Sequence, residues 1–389
     1  MQSRRLLFAL LFLALALGVI AALWTGRLGI ARLLGLSRPH APAVPLAASV
    51  QDALGRTVPV PDTRPRRILI AGKAPFAIQD TLMLFPSVRA SATLLGRRAA
   101  AQREDGAVVQ DLLLDAWAAP SVRSPSLPLF SEGSAEDIAA ANPDLILLKS
   151  STHLFGESLE PLGLPLAYLD LESPDDYARD LLLLGDLLHA PDDAARLAAT
   201  YAATVADVTT AVSRARAAGA PAPRVLLCQV DASRGLDGCR VPPPDWIQTW
   251  LVTAAGGIPC WTNAILPGQW ANVTLEQVAA WDPDTLVVIS YATPATTAVE
   301  RLATSPAWTS LRCWRTGRVY PMPGDFCSWD LPDPRWLLGL QWMATRLLPP
   351  DAFPDFFSME QALVDFYALL GLSPATTRAK LLPLIPEPL

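Results

Sequence analysis

The charged side chains best suited to hold a ligand follow directly after two apolar, strand-like segments. Lys73 comes after Arg67–Ala71, and Arg234 comes after Arg224–Val230. In an open α/β sheet, ligands bind outside the carboxyl ends of the strands. An ammonium group there attracts anions, and a guanidinium group binds oxyanions in bidentate fashion. We therefore predict that Lys73 and Arg234 contact a ligand, with a solvated surface cation as the alternative at each position.

Uncharged polar and aromatic side chains occupy equivalent places. Ser151 and His153 follow the apolar run Leu145–Leu148, and Tyr291 follows another such run. Trp329 lies in a polar and aromatic loop before a proline-opened helix, where its indole offers a stacking face and an N–H donor. We predict that all four face the same cleft. A purely structural role for the lone histidine is the alternative.

No catalytic motif accompanies these residues. The sequence has no Gly-x-Ser-x-Gly elbow, no Walker loop and no G-x-G-x-x-G after a strand. Asp144 and Asp284 fall in turns before strands, at the wrong edge of a sheet for catalysis. The three histidines are too scattered for a metal site. We predict a binding protein without a cofactor or resident metal, and a two-lobe α/β enzyme stays open as the rival class.

Composition narrows the class of protein and its partners. Half of the 389 residues are hydrophobic and only 17% are charged, which is typical of a folded chain. The net charge is −6, and no basic patch with interleaved aromatic residues occurs. These features argue against a nucleic-acid partner. We expect a monomer.

The five cysteines all lie in the second half of the chain, and none belongs to a C-x-x-C pair. A zinc ribbon or thioredoxin-like site is therefore not expected. Two alternatives remain. In an oxidising compartment one or two disulfides form, or else the cysteines are buried apolar thiols.

The N-terminus carries an export or anchoring signal. Arg4 and Arg5 precede the uncharged run Leu6–Trp24, which is long enough to span a bilayer. A tether rich in proline and alanine follows over Arg38–Ala48. We predict an extracytoplasmic protein in the periplasm or on the outer face of the inner membrane. The segment is either a cleaved signal peptide or a membrane anchor.

One long helix organises the rest of the chain. Apolar residues recur at steps of three or four over Asp192–Ala217, and Pro191 can open the helix. The segments on either side resemble each other, because each reads as a helix, a Pro-Asp turn and a buried strand. We predict an α/β fold in which two Rossmann-like lobes are joined by one long rigid helix, with the ligand cleft between the lobes. The predicted boundaries are 1–49 (signal or anchor plus tether), 50–172 (N-terminal lobe), 173–220 (linking helices), 221–349 (C-terminal lobe) and 350–389 (helical extension).

Several short motifs carry a family resemblance. They are an Asp-x-x-Gly-Arg-x-Val-x-Val-Pro opening at 52–61, Pro-x-Arg-Ile at 65–68, Ala-Gly-Gly at 255–257 and Gly-Arg-Val-Tyr at 317–320. Over residues 50–349 the chain resembles the iron-chelate/cobalamin class of extracytoplasmic substrate-binding proteins, which serve ABC importers. The resemblance implies a small-molecule ligand and an ABC permease as partner. Members of the class bind ferric siderophores, haem or cobalamin, and one branch binds molybdate or tungstate.

The resemblance also implies roles for single residues. Residues 268–278 are similar to the vitamin B12-binding member, which places Trp270 in the cleft and Glu276 at the permease. Core packing of Trp270 and helix capping by Glu276 are the alternatives. In the family a glutamate on the first helix also docks the permease. The matching residue here is Gln79, and the neighbouring Asp80 can take its place.

The expected function is capture of a metal chelate in the cleft and its delivery to the permease. Two alternatives remain from the sequence besides the enzyme. One is a molybdate- or tungstate-binding protein of the same class, and the other is a membrane-anchored ligand sensor.

Overall fold

The apolar runs of the first half form a small hairpin and a four-stranded parallel sheet. The computed structural model describes residues 48–72, 74–95, 134–231, 235–264, 268–325, 327–354, 357–385 and 389. The strands are β1 (Ser49–Gln51), β2 (Thr57–Pro59), β3 (Arg67–Ala71), β4 (Thr93–Leu95), β5 (Leu145–Lys149) and β6 (Leu166–Leu169). The sheet has the order β4-β3-β5-β6, and β5 and β6 are buried along their whole length. Helices therefore cover both faces, as a parallel sheet requires.

The second half forms a mixed sheet. Its strands are β7 (Arg224–Gln229), β8 (Gly238–Val241), β9 (Ile258–Pro259), β10 (Ala271–Thr274), β11 (Thr285–Ile289) and β12 (Val319–Pro321). The order is β10-β8-β7-β11-β12, and β9 pairs with the lower part of β7. The strands β7, β11 and β12 run parallel, whereas β8 and β10 are antiparallel to their neighbours. This second α/β layer confirms the predicted fold class.

The helices lie between and around the two sheets. Those of the first half are α1 (Pro75–Leu82), α2 (Pro86–Ser91), α3 (Ala135–Ala140), α4 (His153–Glu157), α5 (Pro174–Leu187) and α6 (Pro191–Ala217). Those of the second half are α7 (Ile247–Ala254), α8 (Leu275–Trp281), α9 (Ala295–Ala303), α10 (Pro306–Thr309), α11 (Arg312–Arg315), α12 (Trp336–Leu347), α13 (Met359–Leu369) and α14 (Pro374–Thr376). Within the described ranges, no helix combines the length and apolarity needed to cross a membrane. The predicted segment Leu6–Trp24 lies outside those ranges.

The long helix α6 is the linker that the sequence predicts. It has 27 residues and spans roughly 40 Å. Pro191 opens it, Asp192 and Asp193 lie in its first turn, and Arg214 and Arg216 lie in its last turn. These charges complement the helix dipole at both ends, which favours a straight and stable rod.

The two Pro-Asp turns are built in the same way. In the first lobe the Asp144 carboxylate accepts the backbone N–H of Arg67 at 2.9 Å. In the second lobe Asp284 accepts that of Arg224 at 2.8 Å. Each arginine side chain also donates to a carbonyl at the end of the helix that leads into the turn. Arg67 donates to Ala141 in the first lobe, and Arg224 donates to Trp281 in the second. We call these two turns the Asp–Arg staples, and each fixes the amino end of a central strand.

The lobes share one continuous apolar core. The same cluster of buried residues runs from the first sheet through α5 and α6 to the second sheet and the C-terminal helices. At its centre Trp336 packs edge-on against Tyr177 and Tyr201, with ring centroids 5.6 and 5.2 Å apart. The Tyr201 hydroxyl donates to the Pro334 carbonyl at 2.9 Å. The described residues from 48 onwards accordingly belong to one compact unit.

The C-terminal helices reach back to the first lobe. Arg89 on α2 donates to the Leu369 carbonyl at the end of α13, at 2.9 Å. Arg214 on α6 donates to the Ala352 carbonyl at 3.0 Å. The extension therefore contacts both the linking helix and the N-terminal lobe, while the exact domain limits stay predictions.

Candidate functional site

The first-lobe edge of the site lies where β3 and β5 end. Lys73 lies outside the described residues. The preceding Gly72 has φ +81°, and a Cβ there would lie 2.7 Å from the Thr152 hydroxyl oxygen. The loop after β3 is thus pressed against the turn after β5. Ser151 and His153 in that turn are exposed, and the His153 ring nitrogen lies 3.2 Å from the Ser150 carbonyl.

The buried Lys149 stabilises the turn that follows β5. Lys149, the last residue of β5, is 2% exposed and pairs with Glu172 at 2.7 Å. Its ammonium group also donates to the Asp170 carbonyl. These contacts hold Lys149 in place as a support for the turn. Nothing in the sequence singles out Lys149, because it reads as the polar end of an apolar strand.

The second-lobe edge is an aromatic wall made of Trp246, Trp270 and Tyr291. The Trp270 ring meets the Trp246 ring edge-on at 6.0 Å and the Tyr291 ring at 6.2 Å. The guanidinium carbon of Arg240 lies 5.3 Å from the centre of the Trp270 ring. All four residues are partly exposed. The wall therefore combines stacking surface with one positive charge, which suits a ligand that is both flat and anionic.

A buried polar network backs the aromatic wall. Tyr291 donates to Asp330 at 2.9 Å, and Ser328 donates to the other oxygen of the same carboxylate. Burial raises the pKa of Asp330 and of the Tyr291 hydroxyl. The Gln248 Oε1 atom is buried without a hydrogen-bond partner in the described part of the chain. The wall is thus held by directed hydrogen bonds, and the Gln248 acceptor has no donor among the described residues.

Trp329 is buried in the core, whereas the sequence predicts that it faces the cleft. It is fully buried and packs in the shared core, so it offers no stacking face to a ligand in this conformation. Its indole nitrogen has no hydrogen-bond partner among the described residues. Gly339 on α12 explains the close fit, because a Cβ there would collide with the Trp329 carbonyl. Arg234, the other predicted cation, lies outside the described residues.

A buried ion cluster joins the two lobes. Arg335 is fully buried and contacts Asp325 at 2.7 Å and Asp333 at 3.2 Å, both in the second lobe. It also contacts Asp80 on α1 of the first lobe at 2.8 Å. We call these four residues the Arg335 cluster. Burial of an ion pair is favourable only when its partners are well placed, and here one guanidinium serves three carboxylates.

The cluster corrects the prediction for the first-lobe permease contact. Asp80 and its neighbour Gln79 are each 7% exposed. Because Asp80 is committed to Arg335, it cannot dock a partner in this conformation. Glu276 behaves differently, since it is exposed in the first turn of α8. A hydrogen bond with the Thr274 side chain lowers the pKa of Glu276, so its negative charge stays available.

The cluster makes stability depend on pH. Burial raises the pKa of Asp333 to about 7, against 3.8 in the unfolded chain, and the neighbouring Asp80 and Asp325 carboxylates add to the rise while Arg335 opposes it. The folded state therefore binds more protons than the unfolded state between these values, and stability falls as pH rises through 7.

We expect the free energy of unfolding to drop by about 1–2 kcal/mol more in the wild type than in Asp333→Asn between pH 5.5 and 8. Urea titrations of both proteins at the two pH values measure this difference. Asp180, whose pKa burial raises to about 6, is common to both proteins and cancels in the comparison. Equal pH dependence in the two proteins would rule out Asp333 as the titrating group.

Cavities open on the second lobe at both ends of its central strands. One of about 280 Å³ opens at the carboxyl end of β7 and is lined by Gln229, Asp231, Cys239, Arg240 and Thr274 among others. The other, of about 700 Å³, lies at the amino ends of β7, β11 and β12. Only the first is at the sheet edge where α/β proteins bind ligands. It continues from Arg240 beside the aromatic wall towards the start of α8.

The comparisons with known proteins identify the fold. The profile of the family described as "Periplasmic binding protein" matches residues 79–326, more than half of the chain. No curated protein matches the chain in sequence.

Solved structures share the architecture at low identity. The chain is similar to a periplasmic solute-binding protein from Veillonella parvula, with 20% identity, a TM-score of 0.63, and 85% of this chain and 95% of that chain covered. It is also similar to the molybdate-bound protein MolA of Haemophilus influenzae, with 16% identity, a TM-score of 0.61, and 83% and 98% covered. A periplasmic heme-binding protein from Pseudomonas aeruginosa gives 20% identity, a TM-score of 0.54, and 74% and 94% covered. At these identities the similarity concerns the fold alone.

Proposed function

The chain belongs to the periplasmic binding protein family, and from this premise we propose that it captures a metal chelate between its lobes and delivers it to an ABC permease. The family consists of solute-binding proteins, so the general role of transport binding follows from membership. The ligand class is our proposal: a ferric siderophore, haem or cobalamin.

The aromatic wall carries this proposal. A half-buried Trp270 with Arg240 against its ring, at a sheet edge that also holds a cavity, matches a ligand with flat conjugated groups and negative charge. Stacking surface of this kind contributes little to the binding of a small tetrahedral oxyanion. The heme-binding relative and the MolA relative with molybdate mark the two ligand classes between which the experiment must decide.

The proposed mechanism relies on limited motion. Helix α6 and the Arg335 cluster both connect the lobes, and bending the helix would break backbone hydrogen bonds. Binding therefore shifts the lobes by a small hinge movement instead of a wide closure. We propose that the exposed Glu276 then contacts the permease, and that the N-terminal segment directs or anchors the protein outside the cytoplasm.

We expect Trp270→Ala to weaken chelate binding about 10–100-fold, because stacking and cation–π contacts are together worth roughly 1–3 kcal/mol. Calorimetric titration with a ferric siderophore, haem, cobalamin, molybdate and tungstate measures the affinity. Trp281→Ala is the matched control. Trp281 is also half-buried, but it lies at the end of α8, next to the amino end of β7 and away from the proposed site. Arg240→Gln tests the charge and is expected to affect anionic chelates most.

The panel separates the alternatives. Binding of molybdate or tungstate alone would replace the chelate proposal with the oxyanion branch. Chelate binding that is equal in the wild type and Trp270→Ala would remove the aromatic wall from the site. No binding to any member of the panel would contradict the proposed function and favour a sensor of another ligand.

A further inference from the structure

One segment of the chain contacts both the aromatic wall and the first lobe. Residues 323–325 and 327–335 follow strand β12 and lead into α12. In the middle of this segment, Asp330 accepts the Tyr291 hydroxyl of the aromatic wall at 2.9 Å. At its end, Arg335 donates to Asp80 on α1 of the first lobe at 2.8 Å. The wall and the first lobe are therefore bonded to the same stretch of chain.

Backbone contacts within the segment make it rigid. Gly324 and Ser328 form an antiparallel β-bridge. The Trp329 N–H donates to the Pro323 carbonyl at 3.1 Å, which closes the same turn from outside the bridge. A local shift would break these bonds in a largely buried place, where unsatisfied backbone groups are costly. We infer that the segment moves as a unit.

The side-chain bonds continue from the wall to the first lobe. Ser328 donates to the Asp330 carboxylate and pairs through the bridge with the residue before Asp325. Asp325 accepts from Arg335 at 2.7 Å, and a second nitrogen of the same guanidinium reaches Asp80. Asp325, Asp330 and Arg335 are at most 2% exposed. Water therefore cannot readily replace a bond that is lost in this series.

Helix α1 extends the connection to the ligand edge of the first lobe. It begins at Pro75, directly after the loop that follows β3, and Asp80 lies in its second turn. A shift of this short helix moves its first turn and the loop before it. The contact between Arg335 and Asp80 thus sets the position of the first-lobe edge relative to the aromatic wall.

We propose that residues 323–325 and 327–335 position the two edges of the site relative to each other, so that Asp80 controls the order of the loop at Tyr291 in the other lobe. Asp80 and Asp330 are then positioning residues that do not touch the ligand. Preorganised edges bind a ligand more tightly, because less conformational freedom is lost on binding. The inference rests on the proposed function only for the identification of these edges as the ligand site.

Hydrogen–deuterium exchange of the ligand-free full-length protein tests the coupling. In Asp80→Asn we expect exchange at residues 290–293, after β11, to become about 3–10-fold faster, in addition to a local change in α1. Tyr291→Phe removes only the hydroxyl that Asp330 accepts, and it should speed up exchange in α1 by a similar factor. The double variant should show no greater increase than the larger single one, because either change breaks the same connection.

Asp52→Asn is the matched control. Asp52 is also a buried carboxylate of the first lobe, at 3% exposure, but it accepts backbone N–H groups within its own turn. The substitution should change exchange in the β1–β2 hairpin and leave residues 290–293 as in the wild type. Equal increases at 290–293 in Asp52→Asn and Asp80→Asn would overturn the proposal, because a general loss of stability would then explain both.

Unchanged exchange at 290–293 in Asp80→Asn would also overturn the proposal, as would additive effects in the double variant. Haem titration followed by absorbance relates the coupling to binding. We expect Asp80→Asn to weaken haem binding about 3–10-fold and Asp52→Asn to leave it unchanged. Equal haem affinities in the wild type and Asp80→Asn would contradict the role of the segment in binding. Failure of haem to bind the wild type would count against the proposed function, whereas the exchange measured without ligand still decides the coupling.

Discussion

Replacing Arg335 by methionine is expected to destabilise the protein by about 3–5 kcal/mol or to prevent its folding. The methionine keeps most of the side-chain volume but removes the cation that three buried carboxylates share. Asp325 and Asp333 are then left as unpaired buried charges, and Asp80 loses its link across the lobes. Urea unfolding followed by circular dichroism measures the loss. The deficit is expected to be smaller at pH 5.5 than at pH 8, because protonation relieves the repulsion.

Arg378→Met is the matched control for this change. Arg378 pairs with Glu360 at 2.9 Å, but both side chains are about half exposed, so the loss should stay below about 1 kcal/mol. If the two variants were equally stable, the Arg335 cluster would not be a stabilising contact between the lobes. Should Arg335→Met fail to fold, Asp80→Asn offers a milder test of the same interlobe pair.

Truncating Trp336 to alanine is the second change with a large expected effect. Its ring is 1% exposed and meets those of Tyr177, Tyr201 and Trp250 at centroid distances of 5.2–5.7 Å. These partners come from α5, α6 and α7, so one side chain fills the space where the linking helices meet both lobes. We expect a loss of about 3–5 kcal/mol, as for other large buried aromatic residues. Urea titration again gives the value.

Trp336→Phe separates packing from hydrogen bonding at this position. The indole nitrogen of Trp336 has no hydrogen-bond partner among the described residues, so phenylalanine gives up only part of the volume. We expect it to cost less than half as much as alanine. If the two variants were equally damaging, the indole N–H would have to form a bond that the structure does not contain.

Features set by local chemistry could be predicted from the sequence. Helix α6 begins and ends where its proline, first-turn aspartates and last-turn arginines indicate. The two Pro-Asp turns also fall before buried strands, as their residues predict. Such features depend on neighbours within a few positions. For the same reason the two-lobe α/β class and the family could be identified before any coordinates.

Features that depend on distant segments could not be predicted. Asp80 and Arg335 are 255 residues apart, and no periodicity shows that they meet. Arg240 reaches Trp270 because β8 and β10 pair antiparallel although α7 and β9 lie between them in the chain, whereas the sequence pattern points to Arg234 instead. The position of the Trp329 loop after a strand predicts a place in the cleft, but composition cannot distinguish an exposed indole from one that is fully buried next to Gly339.

The Asp–Arg staples imply that this scaffold can be re-engineered without loss of its fold. Asp144 and Asp284 secure the amino ends of the central strands, whereas the proposed ligand site lies at the carboxyl ends of those strands. Architecture and recognition are thus encoded in separate sets of residues. Changes in the loops at the carboxyl ends of the strands leave the Asp–Arg staples intact. The same fold can therefore bind chemically unrelated ligands.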